Sequence, residues 1–157
     1  MTTAARIAKH PIHPMLVPIP IGLWVFSLVS DVIYAVGWGS LIWNDIAFYS
    51  MVGGIVGAAL AAVPGFIDYR TITDSTVKKV AMTHMLMNLA IVGLFAINVW
   101  LRAQRPVATG VPTILSAIGV ILLGIAGWLG GELVYRYAMG VEVQPVWARQ
   151  KPDRYSV

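Results

Sequence analysis

The amino-acid sequence predicts an all-α fold: a four-helix transmembrane bundle, up-down-up-down, with the N and C termini cytoplasmic. Three observations carry this. The 157 residues are 58% hydrophobic and only 11% charged, where a soluble domain is about a quarter charged. The mean hydropathy is +0.76. Four separate segments are each long and apolar enough to cross a bilayer core of ~30 Å, which takes ~20 residues at 1.5 Å rise. A chain at that depth must satisfy its own backbone hydrogen bonds, so the segments are helices rather than open strands.

The first predicted helix runs over about 14–36 and carries one charge, Asp31. Proline follows each histidine of HPIHP just before it. Proline fixes its own φ and disfavours the helical region for the residue before it, so His10 and His13 are expected on a stiff, extended lead-in. The second apolar run, Ile46 to Ile67, has no charge, but Pro64-Gly65 is expected to stop or kink it, giving a helix over 46–63. The third is predicted over 80–101, uncharged, with His84 near its start. The fourth is predicted over 112–137, with Pro112 in its first turn, where a missing N–H costs nothing. Residues 1–140 thus read as one four-helix domain, and the polar 141–157 as a cytoplasmic tail. The N-terminus lacks the short apolar core and small-residue cleavage site of a signal peptide.

Charge sets the expected orientation. Nine of the eleven cationic residues fall in the N-terminal tail, the Asp68–Lys79 connection and the C-terminal region. With four spans these lie on one side, and only Arg102 and Arg105 lie on the other, so the positive-inside bias puts both termini in the cytoplasm. The same placement removes nucleic acid as a reading of the net charge of +4. Trp38, Trp43 and Trp100 fall at the outer boundary as interfacial anchors.

No cysteine is present. That excludes disulfides, thiolate zinc sites, iron–sulfur ligation and cysteine nucleophiles. No nucleophile–base pairing, phosphate loop or paired-acid motif is visible, so the sequence points away from an enzyme. No acid lies at the midplane and no helix pair is broken there, which makes a small-solute or proton transporter the weakest reading.

Polar residues gather at one depth instead. His10 and His13 precede the first helix, and Asp68 and Arg70 follow the second. His84 lies one turn into the third, with Asn88 four residues on, on the same face. Glu132 and Arg136 arrive at the same end of the fourth, also four apart. Imidazole binds zinc, iron or copper through one nitrogen while a neighbour orients the other. His10, His13, His84, Glu132 and Asp68 are therefore the candidate metal ligands. The more concrete version is haem b held between His13 and His84, with Arg70 and Arg136 offsetting its charge. Ordinary capping, an interfacial Arg–Glu pair and hydrogen-bonded structural histidines account for the same residues without a cofactor.

At the other end, Asp31 and Asn98 reach similar depth and are expected to form a structural hydrogen-bonded pair. Gly53 and Gly57, and Gly127 and Gly131, are four apart and are expected to serve helix packing inside the bundle. Gly54, Ala58, Gly124 and Gly131 would alternatively leave room for a flat cofactor.

Four stretches carry a resemblance. HPIHPMLVPIPIGLW, AAVPGFIDY, the histidine in THMLMNL, and GWLGGELVYRYAMGV resemble the bacterial membrane family named domain of unknown function 2231. The likeness covers nearly the whole chain in order. It implies a compact four-helix domain of the inner (plasma) membrane, sometimes linked to Rieske-type or other redox modules. By that analogy it implies electron transfer, with a redox partner or a homo-oligomer beside the lipid bilayer. The family often has His after its paired glycines, where this chain has Glu132. Glu suits a mixed His/carboxylate metal site better than a haem axial position. The expected function is thus a redox or metal/haem-binding membrane subunit. The alternative is a cofactor-free accessory subunit of a membrane complex.

Overall fold

In the computed structural model, residues 4–38, 40–104 and 110–141 are described here. The expected tail, 141–157, lies almost wholly outside them. The chain opens with a hairpin of two short strands, β1 (Arg6–Ile7) and β2 (His10–Pro11), paired antiparallel. Ala8 and Lys9 turn it with positive φ at both positions, as a two-residue hairpin needs. Five helices follow: α1 (Ile12–Leu16), α2 (Pro18–Ala35), α3 (Ile42–Arg70), α4 (Ser75–Ala103) and α5 (Val111–Tyr135). Together α1 and α2 make the first span, so four spans result, each with a mean hydropathy near 2 over its most apolar window.

The helix ends follow local chemistry. Pro18 starts α2, where its missing N–H has no partner to lose. Asp74 caps α4 by accepting from Thr76 and Val77 N–H at 2.8 and 2.9 Å. Gly110, at φ 74°, leads into α5, and Pro112 lies in its first turn.

Two expectations at proline are corrected. Helix α3 does not stop at Pro64 but continues to Arg70. The neighbouring helices hold it, and only one intrahelical bond is lost to the missing donor. His13 is not on the extended lead-in with His10. It lies inside α1, where Pro14 occupies the first turn and needs no donor.

The helices close a ring, with α2 packed on α3, α3 on α4, α4 on α5 and α5 back on α2. The core is built around Trp24. Its ring stacks on Phe95 at 4.5 Å between centroids and 5° between planes, and Met51, Ile91, Leu123 and Ala126 surround the pair. The indole N–H donates to the Met51 carbonyl at 3.3 Å. Close approach is possible because α3 offers glycine there: a Cβ at Gly54 would overlap the indole, and one at Gly57 would come within 2.8 Å of Ile19. The space expected at Gly54 for a flat cofactor is thus filled by Trp24. As α3 advances from Gly54 to Gly65, its partners recede from Trp24 to His13, so it runs antiparallel to α1 and α2. Outward faces carry large apolar side chains such as Phe26, Val63 and Leu89, which suits lipid contact.

Candidate functional site

The two ends of the bundle are built differently. At the end joining α2 to α3 and α4 to α5, a buried ionic network spans all four spans. Arg102 in α4 donates to Asp31 of α2 at 2.7 Å, with both side chains 2% exposed. It also donates to Asn98 at 3.0 Å and to Asn44 of α3 at 3.3 Å. Asn98 in turn donates to Ser116 Oγ and to the Pro112 carbonyl of α5. The expected Asp31–Asn98 pair is therefore corrected: Arg102 stands between them. Arg102, just past the helix predicted over 80–101, lies inside α4, where it has the Asp31 charge to pair with. Its four-residue spacing from Asn98 was the available signal.

At the opposite end lie the histidines. His13 Nδ1–H donates to the Ala61 carbonyl of α3 at 2.8 Å. His84 Nδ1–H donates to the Ala126 carbonyl of α5 at 2.9 Å. Carbonyls only accept, so Nδ1 carries a proton in both rings, and in a neutral imidazole the lone pair is then on Nε2. Glycines make room for each ring: a Cβ at Gly65 would come within 2.8 Å of His13, and one at Gly130 within 3.2 Å of His84. The stretches AAVPG (61–65) and AGWLG (126–130) thereby each supply a carbonyl and a glycine to one imidazole. The two rings face each other edge to face, with centroids 6.4 Å apart and planes at 88°. Asn88 lies one turn along α4. Its amide donates to the His84 carbonyl at 2.8 Å and sits 3.2 Å from His84 Nε2.

The other candidates have different company. His10 is exposed in the hairpin, and its Nδ1–H donates to the Ala8 carbonyl at 2.8 Å. Asp68 is buried at the end of α3 and accepts the Ala5 N–H at 2.9 Å. It ties down the N-terminal hairpin, whose Ala5 carbonyl accepts the first N–H of α1 at 3.0 Å. Glu132 pairs with Arg136 at 2.8 Å on the outside of α5. That hydrogen bond holds the Arg136 guanidinium further above its ordinary pKa, so it stays charged at any physiological pH. Arg70 is exposed at the end of α3. Among the described residues no three histidine or carboxylate groups come together as a metal cluster. The structure brings His13 and His84 together and leaves His10, Asp68 and Glu132 in separate interactions.

A family model described as "Predicted membrane protein (DUF2231)" matches residues 9–143. Neither among curated proteins nor among solved structures does the chain have a significant match.

Proposed function

The chain belongs to the DUF2231 family of predicted membrane proteins, and we propose that it is a membrane subunit that holds a redox group or transition metal between His13 and His84. One observation carries the reading: the 6.4 Å centroid separation of two imidazoles from different helices. Once the ring that presents its face turns so that both Nε2 atoms point to one site, two metal–nitrogen bonds of ~2 Å, plus ~1 Å from each nitrogen to its ring centre, span about 6 Å. The tautomers suit the same role. Each Nδ1–H is held by a backbone carbonyl, which is how ligating histidines are commonly oriented with Nε2 turned to the metal. Asn88, 3.2 Å from His84 Nε2, would have to give up that contact while keeping its bond to the His84 carbonyl.

Haem b fits this donor set as a bis-imidazole centre, and when bound it would supply one-electron transfer within the membrane. The chain's own residues would supply the two ligands, fix their tautomers through Ala61 and Ala126, and keep the rings among apolar neighbours. Arg70 and Arg136, both at this end of the bundle, would offset anionic substituents. In this reading the cationic side is cytoplasmic, the site faces it, and the membrane is the inner (plasma) membrane.

A second reading has a specific observation behind it. The bonds to Ala61 and Ala126 tie α1 to α3 and α4 to α5, a sufficient structural role for both histidines in a cofactor-free accessory subunit. A visible spectrum of the detergent-purified protein, oxidised and dithionite-reduced, with elemental analysis of the same sample, separates the two. A Soret band that shifts on reduction and is lost in His84→Ala and His13→Ala supports haem. Stoichiometric iron, zinc or copper without a Soret band, lost in the same variants, supports a metal site. A colourless, metal-free protein overturns the proposal and leaves the accessory reading.

A further inference from the structure

Among the described residues, three glycines of α5 have no packing role within the bundle. A Cβ added at Gly124 or Gly127 would meet nothing within 4 Å, and one at Gly131 would meet only Tyr135 of its own helix, at 4.0 Å. Among the described residues, Gly127 and Gly131 thus do not serve the packing inside the bundle that was expected of them. The contrast with Gly54, Gly57, Gly65 and Gly119, each pressed against a neighbouring side chain, shows what an internal packing glycine looks like here. Glycine costs a helix conformational entropy that alanine would spare it. Spaced three and four apart, such residues bring the backbone of another helix close in a membrane.

Gly127 and Gly131 belong to a groove of about 620 Å³ on the outer face of α5, bounded by Trp128, Tyr135, Glu132 and Arg136. Trp128 is 79% and Tyr135 92% exposed, so the walls of the groove stand clear of the bundle. Its polar end holds opposite charges one helical turn apart, and the Arg136 side chain is 71% exposed.

We propose that a second copy of this chain docks here, α5 against α5, related by a two-fold axis along the membrane normal. The charges favour this occupant. Two copies inserted the same way bring parallel α5 helices together. A close crossing at Gly127 and Gly131 then sets Arg136 of each copy beside Glu132 of the other. That reciprocity is what an isologous interface requires. An anionic lipid headgroup would be attracted by Arg136 but repelled by Glu132, and it has no need of the glycine floor. The proposal is independent of the histidine site, which lies on the inward side of α5.

The absence of cysteine makes the test direct. Trp128→Cys and Tyr135→Cys, oxidised in native membranes, should each give a disulfide-linked dimer. Leu89→Cys, on the exposed face of α4, should stay monomeric. Gly127→Ile combined with Gly131→Ile should lower the cross-linked fraction at least tenfold while the monomer stays folded, because a Cβ at Gly127 enters open space and one at Gly131 meets only the exposed Tyr135 ring at 4.0 Å. Glu132→Arg or Arg136→Glu alone should weaken cross-linking, and the two together should restore it. Light scattering of the detergent-purified wild type should give a dimer. A monomer, equal cross-linking from Leu89→Cys, or α5 cysteines that capture only a different protein or a tightly held lipid would each overturn the second-copy assignment.

Discussion

Without the guanidinium of Arg102, the Asp31 carboxylate would be a buried charge with its cation removed. Breaking such a pair from one side costs about 3–5 kcal/mol, whereas replacing both partners by apolar groups is often near neutral. Arg102→Met should therefore lower the denaturation midpoint in detergent sharply, and Asp31→Leu with Arg102→Met should recover most of the loss. Equal damage in the double variant would mean that Asn44 and Asn98, not the charge, set the cost. At the histidine end, volume decides. Valine at Gly65 would drive methyl groups into the His13 ring, whose Nδ1 is already 2.8 Å from where a Cβ would stand. Overpacking of this kind costs about 1–3 kcal/mol, so Gly65→Val should destabilise the protein, and the His13 Nδ1–H resonance should shift as the bond to Ala61 is lost. Sequence alone could supply Asp31, Asn98, His13 and His84 as polar groups at two depths. It could not supply their partners, because those are backbone carbonyls, which every residue has, and an arginine that reads as loop charge next to Gln104 and Arg105.

At the scale of the element, the number and order of spans were legible because lipid leaves the chain no alternative to long apolar helices. Their ends were not, because polar residues such as Asn44 and Arg102 look like loop until a network claims them. Proline shows the same limit. Pro64 gives the Leu60 carbonyl no i+4 donor, and its ring crowds that turn. Ala61, whose carbonyl receives His13, lies in the same turn. Pro64→Ala should restore the helical ladder and leave stability unchanged or raised, while the His13 Nδ1–H signal moves upfield as its acceptor turns back into the helix. An unchanged signal would mean that the carbonyl is placed by packing alone. The N-cap of α4 is simpler: Asp74→Ala removes two bonds to backbone N–H groups and should cost about 1 kcal/mol, read as a small loss in thermal midpoint.

The whole molecule places the buried Arg102–Asp31 ion pair at one end of the bundle and His13 and His84 at the other, and the bias of exposed cations predicts that the histidine end is the cytoplasmic one. Lys9, Arg70, Lys78 and Lys79 are exposed at the histidine end, whereas Arg102 at the other end is neutralised by Asp31 and buried. Burying Arg102 sharpens the asymmetry that drives insertion, since it offers no exposed charge to hold the α4–α5 connection in the cytoplasm. The expected result is that Lys9→Cys and Lys78→Cys react with a membrane-impermeant maleimide only after spheroplasts are permeabilised, while Ser40→Cys reacts in sealed ones. The reverse pattern would put the histidines outside and move any redox partner with them. Labelling of all three in sealed spheroplasts would contradict a four-span bundle altogether. A swapped charge bias tests the cause: replacing Lys78 and Lys79 by Gln while adding two lysines beside Ser40 should raise the fraction of inverted molecules. It should do so without disturbing the Arg102 network, because none of its members lies in the altered connections.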